Sequence, residues 1–242
     1  MKSTQDAQED VAEFYDEEAI SYDDRFDSSA GQYIHNRQLS IVLDQLGDIE
    51  GKTVLEIAAG TGRFTRELSS RGAEVVVVDI SEEMLQQNRS KTPNASFLRG
   101  TASHLPLADE TVDACLTVNA LNHIPGHWDV IADAHRVLKP EGTFLANYPN
   151  LLSNRLPIAL YVNRRNRNVG GGVYTKWFSV FEVKSRLRET GYEVETTVGD
   201  RLVPVKVFSK ITIPLAQITE RLADKPPLSN VCVSPFIRAR KR

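Results

Sequence analysis

Cysteine is scarce in this chain: Cys115 and Cys232 are the only two in 242 residues. Both sit inside apolar, strand-like runs and read as small buried hydrophobes, so neither a disulfide nor a metal site is expected. No run of about 18 apolar residues is present to make a membrane-crossing helix. The N-terminus lacks a basic start followed by an apolar core, and the expected location is cytoplasmic. Without a secretion signal, the glycosylation-like triplets at Asn88 and Asn94 read as accidental. The phosphate-cradling G-x-x-x-x-G-K-[ST] loop is missing, as are internal repeats and low-complexity tracts. What remains is 41% hydrophobic and 25% charged, the make-up of a soluble globular protein. Its length suits a single domain over residues 1–242 with additions.

The rest of the chain is organised around Thr53 to Asp79. A β-branched strand, Thr53 to Ile57, runs into the small-residue loop Ala58-Ala59-Gly60-Thr61-Gly62. A helix with Phe64 and Leu68 at i and i+4 follows, then an apolar run that stops at Asp79. This order predicts a βαβ unit with a ligand crevice at the carboxyl ends of its strands. Glycine is needed where a side chain would forbid the turn or hold the backbone away from a ligand. Asp79 stands where a carboxylate can accept both hydroxyls of a ribose. A dinucleotide loop would show a third glycine where this chain has Thr65. Glu56 would repel a pyrophosphate but suits a ligand bearing an ammonium group.

Four segments in order, Glu56-x-x-x-Gly60-x-Gly62, Asp79 to Leu85, Gly100-Thr101-Ala102-x-x-Leu105-Pro106 and Val137 to Thr143, resemble the successive motifs of the class I S-adenosylmethionine-dependent methyltransferases. Within that family the chain is similar to the small-molecule branch of the ubiquinone and menaquinone type. The resemblance implies an α/β fold: a Rossmann-like, doubly wound, seven-stranded and mostly parallel sheet of order 3-2-1-4-5-7-6, with an N-terminal helical cap over residues 1–47. It implies S-adenosylmethionine as cofactor, S-adenosylhomocysteine as product, and no metal. The cofactor-binding set it implies is Tyr22, Glu56, Ala58, Gly60, Gly62, Asp79, Ile80, Met84, Gly100, Thr101, Ala102 and Asn119. Tyr15 or Tyr22 would close over the cofactor, with ordinary helix packing as the alternative.

Along the chain, Val11, Tyr15, Ala19, Tyr22 and Phe26 recur at helical spacing, and Ser28 to Gly31 reads as a break before a helix from about Tyr33 to Leu46. Val112 to Val118 predicts a strand buried on both faces, opening into the loop that carries Asn119 and His123. His123 is the candidate general base if the acceptor is a hydroxyl. Residues 149–177 are long for a connection and read as an insertion or substrate lid, in which Arg164, Arg165 and Arg167 could bind an anionic substrate. Residues 202–222 are apolar but broken by Pro204 and Pro214, and packing on the sheet edge is simpler than contact with a membrane surface.

Charge is distributed unevenly. Residues 1–27 hold ten acids against two bases, 151–190 hold eight bases against two acids, and 201–242 hold nine against two. The acidic start opposes phosphate backbones, and no nucleic-acid partner is expected. The Asn/Asp-Pro-Pro-Tyr/Phe signature of nucleic-acid and glutamine amino-methylators is missing. A small-molecule acceptor, anionic, glycosylated or lipid-linked, is the preferred reading. Two others stand beside it: a non-catalytic S-adenosylmethionine-binding protein that engages a partner, and a nicotinamide-dependent oxidoreductase, disfavoured by Thr65 and Glu56.

Overall fold

The computed structural model describes residues 3–165, 173–205 and 209–242. Two N-terminal helices, α1 (Thr4–Glu18) and α2 (Ser29–Leu46), flank a short 3-10 turn at Tyr22–Phe26. The alternating core follows as β1 (Thr53–Ile57), α3 (Thr65–Ser70), β2 (Glu74–Asp79), α4 (Glu82–Lys91) and β3 (Ser96–Arg99). Next come β4 (Val112–Val118), α5 (His127–Val137), β5 (Leu138–Asn147) and α6 (Leu156–Arg165). The chain closes with α7 (Val180–Glu189), β6 (Tyr192–Gly199), α8 (Ser209–Ala223) and β7 (Pro235–Lys241).

The seven strands form one sheet of order 3-2-1-4-5-7-6. Pairings from β3 through β5 are parallel, and β7 runs antiparallel between β5 and β6. The central strands are apolar on both faces because helices cover both faces. One side of the sheet packs Leu55, Ile57, Phe144 and Ile237 against α5 and α7, and the other packs Val54, Val77 and Leu116 against α2 and α3. Cys115 and Cys232 are both buried and free.

Two expectations change at the N-terminus. The helical spacing from Val11 to Phe26 is interrupted, because α1 stops at Glu18 and the chain re-enters as the 3-10 turn. Gly31 is a point of close approach rather than a break: Ser28 caps α2, and a Cβ on Gly31 would stand 2.5 Å from the Arg25 carbonyl oxygen and 2.6 Å from Phe26 Cα. The bases of the last strand are paired with acids. Arg238 pairs with Glu195, Arg240 with Glu141 and Glu195, Lys241 with Glu110, and Arg242 with Glu193.

Inside a helix, alanine is favoured over glycine by about 1 kcal/mol. At Gly31 the crowding outweighs that preference, so Gly31→Ala is expected to lower the unfolding free energy by about 1–3 kcal/mol in a urea titration. A more stable variant would mean that the 3-10 turn moves aside without cost.

Candidate active site

The site lies at the carboxyl ends of β1, β2 and β4. After β1 the chain turns through Ala58, Gly60 and Gly62, all at positive φ (53°, 56° and 86°). For alanine this left-handed conformation costs roughly 1–2 kcal/mol. Two hydrogen bonds hold it: Ala58 N–H donates to the Val78 carbonyl at 2.7 Å, and Gly60 N–H to Asp79 Oδ2 at 2.8 Å. Asn119, just past β4, is also left-handed at φ 57°, and its side-chain amide donates to Gln38 Oε1 on α2. Strained backbone of this kind persists where surrounding structure over-determines it, and it clusters at binding sites.

Glu56 is 2% exposed. The Thr65 hydroxyl donates to its Oε2 at 2.6 Å, and the Asn88 amide in turn donates to Thr65 Oγ1 at 2.9 Å. Burial pushes the Glu56 carboxyl up to about 8; the Thr65 hydrogen bond opposes the rise, the Asp79 charge adds to it, and Arg63 opposes it. Asp79 is likewise raised by burial, against the pull of the Ser81 and Gly60 N–H groups at 3.0 and 2.8 Å.

This chain explains two sequence features. Gly62 does not line the cleft; a Cβ there would overlap the Asn88 amide, so glycine admits Asn88 to its place under Thr65. Thr65 stands where a dinucleotide loop carries glycine because its hydroxyl fixes the acid.

The cleft between the loop and the N-terminal helices encloses about 940 Å³, counting its open mouth. Glu56, Ala58, Gly60 and Asp79 form its floor. Ile80, Met84, Gly100, Thr101 and Ala102 form one wall. Asn119, His123 and Ile124 form the other, and Val11, Tyr15 and Tyr22 of the cap lie across it. Two acids clamp the cap down. Asp16 accepts from the Ser81 hydroxyl at 2.5 Å and from Glu83 N–H at 3.2 Å, and Asp23 accepts from the Thr61 hydroxyl at 2.5 Å and pairs with Lys91 at 2.7 Å.

Sequence reasoning missed Arg63, which also lines the cleft. Its guanidinium stacks on the Phe26 ring at 3.4 Å and donates to His35 Nδ1 at 2.8 Å, and burial lowers its pKa to about 10. His35 Nδ1 must therefore be the unprotonated nitrogen, in line with a His35 pKa lowered by burial and by Arg63. The only local signal was a basic residue directly after the glycine loop.

His123 closes the 3-10 turn Leu121–His123. Its Nδ1 lies 3.0 Å from the Tyr174 carbonyl oxygen, which can only accept, so Nδ1 carries the proton and Nε2 keeps its lone pair. Burial lowers its pKa, and the imidazole is neutral at pH 7. Arg164 and Arg165 are not at the cleft; they are exposed on the last turn of α6. Arg167 lies outside the described residues.

A methyltransferase domain family matches residues 55–146. A demethylmenaquinone methyltransferase of Renibacterium salmoninarum is 32% identical over 180 residues, covering 69% of this chain and 74% of that protein. The chain belongs to the class I S-adenosylmethionine-dependent methyltransferases. An uncharacterised methyltransferase of Mycobacteroides abscessus is 27% identical over 66% of this chain and 59% of its own length. A solved S-adenosylmethionine-dependent methyltransferase of Thermotoga maritima shares the fold at a TM-score of 0.69 and 20% identity, over 95% of this chain and 99% of that one.

In this methyltransferase the Thr65 hydroxyl is the group that steadies Glu56, so Thr65→Val should raise the Glu56 titration midpoint above its present value of about 8. It should also cost about 1–3 kcal/mol of stability, since it leaves a buried polar atom without a donor. Carboxyl-resolved NMR titration and denaturant unfolding check the two effects, and an unmoved midpoint would show that the Thr65 hydroxyl does not help to set the Glu56 pKa.

Proposed function

We propose that this methyltransferase transfers the methyl group to a small-molecule acceptor with an apolar, ring-bearing body, deprotonated by His123. The observation that carries the reading is the placement of His123 in the cleft lining, with its Nδ1 held by the Tyr174 carbonyl so that Nε2 is the nitrogen left with a lone pair. It belongs to a residue of the cleft wall opposite the Ile80 and Met84 side, with the Tyr15 ring 6.1 Å away. Relatives named as demethylmenaquinone methyltransferases support an acceptor of this kind. So does the cap, which leaves a cleft bounded by Val11, Tyr15, Ile124 and Pro125 rather than an open groove for a polymer. Ten acids in residues 1–27 would also repel a nucleic-acid backbone.

The donor set fits the cofactor. A buried acid that cannot ionise cheaply is a poor partner for phosphate and a good one for a fixed positive charge, which restores its ionised form. Glu56 would take the ammonium group, Asp79 the ribose hydroxyls, and Arg63 the carboxylate. Ile80 and Met84 would lie against the adenine, with Gly100 to Ala102 along its edge and Tyr22 above. When bound, S-adenosylmethionine supplies a methyl already activated by its sulfonium. The chain must place the acceptor in line and exclude water, which effective-molarity arguments value at up to ~7–11 kcal/mol.

Two outcomes test this reading. Glu56 is protonated below about 8 in the free protein and ionised beside an ammonium group, so binding releases a proton. Calorimetric affinity for S-adenosylmethionine should therefore rise with pH below about 8, by up to tenfold per unit, until the ligand's own ammonium begins to lose its proton, and Glu56→Gln should abolish the rise. His123→Gln should lower methyl transfer to a demethylmenaquinol-type acceptor by roughly 10²–10⁴-fold and leave cofactor affinity unchanged. Product formation at the wild-type rate would remove His123 from the chemistry, and no product with any acceptor would favour a binding protein without catalysis.

A further inference from the structure

Among the described residues, nine of the thirteen exposed large hydrophobics fall on two segments, 152–161 and α8. Both follow strands that run in the same direction, β5 and β6, so both leave the rim of the sheet on which the cleft opens. On α8, Ile211, Leu215, Ile218 and Leu222 are 71%, 46%, 77% and 55% exposed. Their spacing of four, three and four puts them in one stripe.

This stripe is not what holds α8 to the protein. The opposite face does that, with Ala216 and Ile213 packed on Ala30 and Ile34 of α2. The two acids near the end of α8 also turn inward: Glu220 accepts from the Tyr33 hydroxyl at 2.8 Å, and Asp224 pairs with Arg37. Lys210 and Arg221 are left exposed beside the stripe, and α6 ends in exposed Arg164 and Arg165 with no acid along its length. None of these four pairs with a carboxylate among the described residues, in contrast to the C-terminal bases.

We propose that α6 and α8 dock this protein on an anionic lipid bilayer. The stripe of α8 enters the headgroup boundary while the basic side chains meet lipid phosphates, as expected of an amphipathic helix that lies in the plane of a membrane surface. Among the described residues no helix is long and apolar enough to cross the membrane, so the contact is peripheral. A second copy of the chain fits the face poorly, because pairing it with itself would bring the unpaired cations of both copies together without intervening acids. The proposal does not depend on the identity of the methyl acceptor.

Vesicle flotation tests it. The protein should float with phosphatidylcholine vesicles containing about 30% phosphatidylglycerol, fail to float with phosphatidylcholine alone, and release in 1 M salt, where the screening length is about 3 Å. Ile218→Asp should reduce partitioning at least tenfold, and so should Lys210→Glu with Arg221→Glu, since each basic residue contributes about fivefold. Circular dichroism and cofactor affinity should match the wild type in every variant, because these side chains touch neither the core nor the cleft. Equal binding to both lipids, undiminished binding of Ile218→Asp, or a wild-type dimer that Ile218→Asp dissociates without any vesicle binding would overturn the proposal.

Discussion

The structure depends on one electrostatic constraint: a carboxyl group held in the interior at Glu56, with a second acid, Asp79, near enough to raise its pKa. Ionising a carboxylate away from water costs several kcal/mol unless something compensates. In the free protein the compensation is a proton and a single hydroxyl, that of Thr65. That hydroxyl must itself be fixed, which brings in Asn88, and Asn88 reaches Thr65 only because Gly62 has no side chain. The glycine loop, the first turn of α3 and the middle of α4 are thus parts of one arrangement that holds a buried acid in place, the acid that the proposed function assigns to a cationic ligand.

The cap is attached by a different kind of force. Asp16 and Asp23 reach the N-terminal turn of α4, the loop and Lys91 through a few part-exposed polar contacts. Pairs of this kind are worth about 0–1 kcal/mol each. Beneath them the rings of Tyr15 and Tyr22 line the cleft, and Phe26 packs against Tyr22 behind them. A cover held by weak polar links can open at modest cost, and a ligand that fills the cleft restores the apolar contact beneath it. On the proposed function, cofactor exchange and water exclusion would draw on the same small set of side chains.

The sheet was legible because buried parallel strands read as unbroken apolar runs: Val112 to Val118 could hardly be anything else, and Asp79 marked the end of a strand by ending such a run. The loop was legible because its glycines have few other uses. The break after Glu18 was not, because the apolar spacing continues through it and only the tertiary contact at Gly31 shows that the chain turns. Arg63 was missed for a similar reason, since its partners His35 and Phe26 lie about 30 to 40 residues away and nothing local announces them. The positive charge at the end of the chain was visible, but not the glutamates of neighbouring strands that neutralise it.

The segment 202–222 shows where periodicity stops being informative. Its hydrophobics are numerous enough for two faces, and the sequence supports packing against protein equally well for either. The structure separates them: Ile213, Ala216 and Ala223 lie on the inner face, while the large residues Ile211, Leu215, Ile218 and Leu222 point away. A helix that needed only to cover the domain would do the reverse, burying its large side chains and exposing its small ones, because apolar burial contributes about 25 cal/mol per Å². Leaving four large side chains exposed has a physical cost, which the proposed bilayer contact would offset.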